Sequence, residues 1–111
     1  MRKPKFEMFT AKDGKVYFQL QTGHGEIVLT SRGYRNQVDA ILGIESVMRY
    51  GVYDSRFLRT ENAKCQFLFE LQSPGRRTIG WSPTYLSKQG RENGIIAVRR
   101  ALQSSRVLDL N

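Results

Sequence analysis

Val16, Phe18 and Leu20 alternate with Tyr17, Gln19 and Gln21, the pattern of a strand buried on one side. A shorter strand is expected at residues 6–10, joined to it through Asp13-Gly14, a pair that suits a two-residue hairpin turn. Gly23-His24-Gly25 turns the chain into a third strand at residues 27–30. Asn36 is then placed as an N-cap, with Asp39 three residues on in a capping-box-like arrangement. Val38, Ile41, Ile44 or Glu45, and Met48 carry helical spacing, with Ala40 and Val47 on the same side. Gly51 is a natural helix stop.

The pattern returns 51 positions later without a gap, from Phe6/Phe57 to Arg49/Arg100. The identities include Phe18/Phe69, Leu20/Leu71, Ser31/Ser82, Tyr34/Tyr85, Gly43/Gly94, Ile44/Ile95 and Val47/Val98. Self-similarity at a fixed period means one supersecondary unit used twice. A glycine inside a helix costs about 1 kcal/mol against alanine, so its double occurrence asks for a reason. The expected reason is close approach of each helix to the sheet, which a residue without Cβ allows.

In the second unit, Phe67, Phe69 and Leu71 form the inward stripe of the middle strand. Pro74-Gly75 suits a type II turn, and Ser87 caps the second helix. Lys64-Cys65 stands where Asp13-Gly14 stood, so a looser loop through Asn62 is expected there. Residues 107–110 read as a short closing strand, with residues 52–57 in the same part after the first helix. The expected class is α+β: a single pseudo-symmetric domain over 1–111, with repeats at about 5–55 and 56–110.

The sequence resembles the YegP-like family of small bacterial proteins of unknown function. The resemblance rests on Asp13-Gly14-Lys15-Val16-Tyr17-Phe18, Gly25-Glu26-Ile27-Val28-Leu29, Ser31, Tyr34, Ala40, Gly43, Ile44, Ser46 and Val47. Phe67, Phe69, Ser82, Tyr85, Ser87-Lys88, Glu92, Gly94, Ile95 and Val98 carry it in the second copy. It implies two tandem β-β-β-α-β units forming one antiparallel sheet, with both helices on one face and the last strands exchanged. It implies no activity. Ile41 replaces the family's helix glutamate in the first copy, and Arg91 its alanine in the second, which counts against two equivalent sites.

Charge changes the picture. The chain carries a formal +8, but residues 5–49 hold six basic and five acidic side chains, a balance of +1. Residues 56–100 hold nine and three, so the excess of +6 lies in the second half. Arg76, Arg77, Lys88, Arg91, Arg99 and Arg100, with Tyr17 and Trp81, are material for a nucleic-acid or polyanion surface. A solvated basic face is the simpler reading, and Arg49 and Arg100 are favoured at helix ends in any case. Arg91 falls on the inward side of its helix, where the first copy has Ala40, and is expected to snorkel to the rim or meet an acid, the rim being favoured over a ligand-binding role.

His24 is the sole histidine and reads as a turn residue tolerant of positive φ, not as a ligand or base. Cys65, the sole cysteine, shares parity with Phe67 and Phe69 and is expected to point into the core. It excludes an internal disulfide and fits a reducing, cytoplasmic compartment. Gly23-His24-Gly25 precedes a strand and lacks the Lys-Ser/Thr ending of a phosphate loop. No apolar segment of signal-peptide or membrane-spanning kind follows the basic start. These residues lead to a monomeric, non-enzymatic binding or accessory protein without cofactor or metal, its partner unknown. The alternative is weak binding of single-stranded nucleic acid, and an acidic protein is the other partner the charge would suit.

Overall fold

The computed structural model describes residues 3–104. Six strands and two helices follow in the order β1 (Lys5–Thr10), β2 (Val16–Gln21), β3 (Ile27–Ser31), α1 (Gln37–Tyr50), β4 (Phe57–Glu61), β5 (Phe67–Ser73), β6 (Arg77–Trp81) and α2 (Lys88–Gln103). The architecture is α+β, with one antiparallel sheet ordered β1-β2-β3-β6-β5-β4. Two meanders therefore meet at β3 and β6, where the register is Thr30↔Trp81 and Ser31↔Gly80. Gly80 permits that meeting, since a Cβ there would stand 2.8 Å from the Thr30 carbonyl oxygen.

The alternation seen in sequence sorts the sheet into a buried and an open side. Phe6, Phe18, Leu20, Leu29, Phe69 and Leu71 are fully buried, joined by Ile44, Val47, Ile95 and Val98 of the helices. Helix α1 packs against β2, β5 and β6, and α2 against β3 and β5. Burying such aliphatic and aromatic side chains contributes about 1.5–3 kcal/mol each, the main term holding the layers together. Both helices start as their caps direct. Asn36 Oδ1 accepts from Asp39 N at 2.8 Å, and Ser87 Oγ accepts from Gly90 N at 2.9 Å.

Pairs of residues 51 apart make the same contacts. Tyr34 bridges Val16 and Tyr85 bridges Phe67 through paired backbone hydrogen bonds. Buried Ser31 Oγ accepts from Phe18 N, and Ser82 Oγ accepts from Phe69 N, each at 2.9 Å. Tyr34 stacks on Phe18 at 6.0 Å, and Tyr85 on Phe69 at 6.4 Å. Gly43 and Gly94 are buried where expected. What fills the notch, however, is the tyrosine: a Cβ on either glycine would collide with the phenol of Tyr34 or Tyr85.

Several expectations need correcting. The buried face of α1 is Ala40, Gly43, Ile44 and Val47, whereas Val38, Ile41 and Leu42 are exposed. Apolar residues surround this helix, so spacing alone did not choose a side. Gly51 ends α1 at φ −72°, without the left-handed geometry of a glycine stop. Its lack of Cβ makes room for Leu102 Cδ1 instead. No strand occupies residues 52–56, where a turn of 3-10 helix spans Asp54–Arg56. An exchanged last strand is thus absent among the described residues, and residues 107–110 lie outside them.

The hairpins also differ from expectation. Gly14 accepts the positive φ (81°) after a turn closed by its own N–H to Ala11 O, so Asp13-Gly14 is not a two-residue loop. Cys65 takes the equivalent place at φ 59° in an equally closed loop, its N–H bonded to Asn62 O. It is exposed, not buried. His24 has no positive φ; Gly25 does, at 84°, and Arg76 matches it at 61° beside Gly75 at 85°.

Candidate functional site

Each helix leaves a cleft against the distant hairpin. The first, of about 370 Å³, lies between α1 and the β5–β6 hairpin. Arg32 at the end of β3, Tyr34 in the following bridge, Leu42 and Ser46 of α1, and Arg77 and Ile79 of β6 line it. The second, of about 590 Å³, lies between α2 and the β2–β3 hairpin, lined by His24, Glu26, Asn93, Ile96, Ala97 and Arg100. The two clefts use corresponding positions, 51 apart, with different chemistry. Arg77 answers Glu26, Leu42 answers Asn93, and Ser46 answers Ala97.

In the first cleft the cations are uncommitted. Arg32 lies over the Tyr34 ring at 5.9 Å from its centroid and makes no ion pair among the described residues. The Arg77 side chain makes neither hydrogen bond nor ion pair there. Asp39, the cleft's acid, is engaged by Arg35 at 2.9 Å. Burial pushes the Tyr34 phenol up and Arg32 draws it down, with burial the larger effect. The Tyr34 hydroxyl therefore stays protonated at neutral pH and can donate.

A second polar group sits at the junction of β4 and α2. Arg59 forks onto Glu92, Nε to Oε2 and Nη2 to Oε1, both at 2.8 Å, and reaches Asp54 Oδ1 at 2.9 Å. The hydrogen bonds from Arg59 hold both carboxylates below their usual range. Glu92 raises the Arg59 guanidinium further. Arg91 points inward over the Phe67 ring at 5.4 Å, donates from Nη1 to Thr60 O at 3.1 Å, and lies 3.6 Å from Glu92. Of the two expectations, rim or acid, it takes the acid: its side chain is 11% exposed, and its buried Nε faces Glu92 without a hydrogen bond. Met8, Ala40 and Ile41 stand at the corresponding places in the first half, which explains why the network occurs once. Glu92 is thereby committed to a clamp between elements.

Of the basic residues singled out in sequence, Arg77 lines the first cleft and Arg100 the second. Arg76, Arg77, Lys88 and Arg100 are exposed. Arg99 donates from Nε to Val52 O at 3.2 Å, and Arg91 is turned inward. Tyr17 donates its hydroxyl to Asp13 at 2.7 Å and stacks on Phe9. Trp81 lies in a row across the open side of the sheet, Glu7–Gln19–Thr30–Trp81–Glu70–Leu58, with the Glu70 carboxylate beside it and Glu7 at the far edge. Phosphates approaching that row would meet like charge. The cleft cation missed in sequence is Arg32, which lies outside the basic second half and became visible only through the seam joining it to β6.

Among the described residues no helix is long and apolar enough to cross a membrane. Residues 11–57 match the family model described as "Domain of unknown function (DUF1508)". A UPF0339 protein of Acinetobacter baylyi is 36% identical over 105 residues, covering 95% of each chain. The UPF0339 protein YegP of Escherichia coli K12 is 33% identical over 104 residues, covering 94% of each. The solution structure of the E. coli yegP protein, of unknown function, superimposes with a TM-score of 0.89 at 30% identity, covering 100% of this chain and 95% of that one. None of these names assigns an activity or a nucleic-acid partner. With this identity over nearly its whole length, the chain belongs to the YegP-like (UPF0339) family of bacterial proteins of unknown function.

Proposed function

We propose that the protein is a non-enzymatic binding module, monomeric and cytoplasmic, whose partner carries negative charge. The observation that carries this reading is the set of exposed cations without an ion pair among the described residues, including Arg76, Arg77, Lys88 and Arg100. Uncompensated surface charge repels itself, and an acidic partner relieves that repulsion while speeding encounter. The matching contacts 51 residues apart support a duplicated unit with both helices laid on one side of the shared sheet. Such a scaffold presents two clefts and lets one diverge without unfolding the other.

Fluorescence anisotropy with labelled polyglutamate, single-stranded RNA and single-stranded DNA, from low to physiological salt, tests this. Saturable, salt-sensitive binding of polyglutamate, weakened at least several-fold by Arg76→Ala with Arg77→Ala, is expected. Failure of every polyanion to bind at low salt would end the proposal. Tighter binding of single-stranded RNA or DNA than of polyglutamate would favour the nucleic-acid alternative.

A further inference from the structure

The cleft between α1 and the β5–β6 hairpin holds two arginines that the fold does not need. Their counterparts 51 residues away are Pro83 for Arg32 and Glu26 for Arg77, at places with the same backbone course. The comparison is internal to one chain. A guanidinium required by the fold would have a counterpart or a hydrogen-bonded partner. Neither arginine has a side-chain hydrogen bond or ion pair among the described residues, and the face of Arg32 that rests on the Tyr34 ring leaves its N–H donors free. Arg59 and Arg91, by contrast, spend their donors on carboxylates and a carbonyl.

We infer that this cleft binds a phosphate dianion, free or as the monoester of a small molecule, between Arg32 and Arg77 with the Tyr34 hydroxyl as a further donor. Forked guanidiniums match phosphate oxygens in pairs, and a tyrosine hydroxyl supplies a third contact without adding charge. Leu42 and Ile79 give the wall an apolar part on which an organic body can rest. The volume of about 370 Å³ exceeds what a bare ion fills and falls at the small end of ligand sites. The other cleft has Glu26 in place of Arg77 and, with Arg100 as its one arginine, lacks the pair of guanidiniums. The inference deepens the binding-module reading and rests on it.

Backbone amide NMR at fixed ionic strength tests it, with inorganic phosphate and glycerol 3-phosphate titrated in separate series and glycerol as the neutral comparison. Saturable shifts at Arg32, Gly43, Ser46 and Thr78 are expected, with no matching change at Thr22, Glu26 or Arg100. Arg32→Gln and Arg77→Glu should each weaken binding at least tenfold, whereas Arg100→Gln in the other cleft should leave it unchanged. Both altered side chains are exposed, so unperturbed spectra of the variants should establish that the fold is kept. Tighter binding of glycerol 3-phosphate would identify a monoester as the source, and equal or weaker binding would identify the free ion. Non-saturable shifts, equal shifts in both clefts, or binding indifferent to both variants would overturn the inference. Polyglutamate binding that survives in those variants would leave the broader reading intact.

Discussion

Tyr85 closes over Gly94: a methyl group built on that glycine would collide with the phenol oxygen and Cζ. The ring cannot simply step aside. It stacks on Phe69, and its backbone is tied to Phe67 by hydrogen bonds of 2.7 and 2.9 Å. Tyr34 and Gly43 repeat the arrangement with Phe18 behind. The tyrosine hydroxyls make no hydrogen bond among the described residues. Tyr34→Phe should therefore change unfolding free energy by less than about 0.5 kcal/mol, as urea melts would report. The same variant should weaken phosphate binding in the cleft while stability holds.

Arg59 and Glu92 make stability depend on acid. Glu92 and Asp54 titrate below their ordinary values of 4.5 and 3.8 because Arg59 donates to each carboxylate. As pH falls, the unfolded chain takes up these protons first, so the contribution is present above those values and fades below them. The urea midpoint should fall between about pH 5 and pH 3, and Glu92→Gln should flatten that slope. Partial exposure of both carboxylates keeps the effect modest. A variant with the wild-type slope would show that the clamp contributes nothing.

Two side chains occupy left-handed backbone that suits glycine, Cys65 at φ 59° and Arg76 at φ 61°. Replacing either by glycine removes the clash of Cβ with its own backbone but loosens the unfolded chain. The net gain should reach up to about 1 kcal/mol in each case, read as a raised melting temperature. Alanine at either place should give no such gain.

Gly80 decides whether the meanders can meet. Valine suits strands in general, yet a Cβ here stands 2.8 Å from a carbonyl oxygen and 3.2 Å from Leu29 Cγ. Gly80→Val should lower stability by at least about 2 kcal/mol and speed amide exchange along β3 and β6 first. A stabilised variant would refute the tight seam.

These positions also show what the chain disclosed before folding. Strands β2 and β5 were legible because Phe18, Leu20, Phe69 and Leu71 alternate strictly with polar neighbours. The helix starts were legible because Asn36 and Ser87 are strong caps. The inward side of α1 was not, because Val38, Ile41 and Leu42 match the core residues in hydrophobicity and only tertiary packing separates them. Cys65 was misjudged because loop closure overrode residue preference, and the left-handed backbone of Arg76 has no signal in its residue type. Arg32 escaped notice as a cleft residue because its neighbour across the seam is 45 residues or more away along the chain, with β6 beginning at Arg77.

The Tyr–Gly lock is most directly tested by the unfolding free energy of Gly94→Ala. Helix propensity by itself favours alanine by about 1 kcal/mol. The lock reverses the sign: Cβ meets a ring that cannot withdraw, and a loss of about 1–3 kcal/mol is expected. A gain in stability, with Tyr85 still stacked on Phe69, would contradict it.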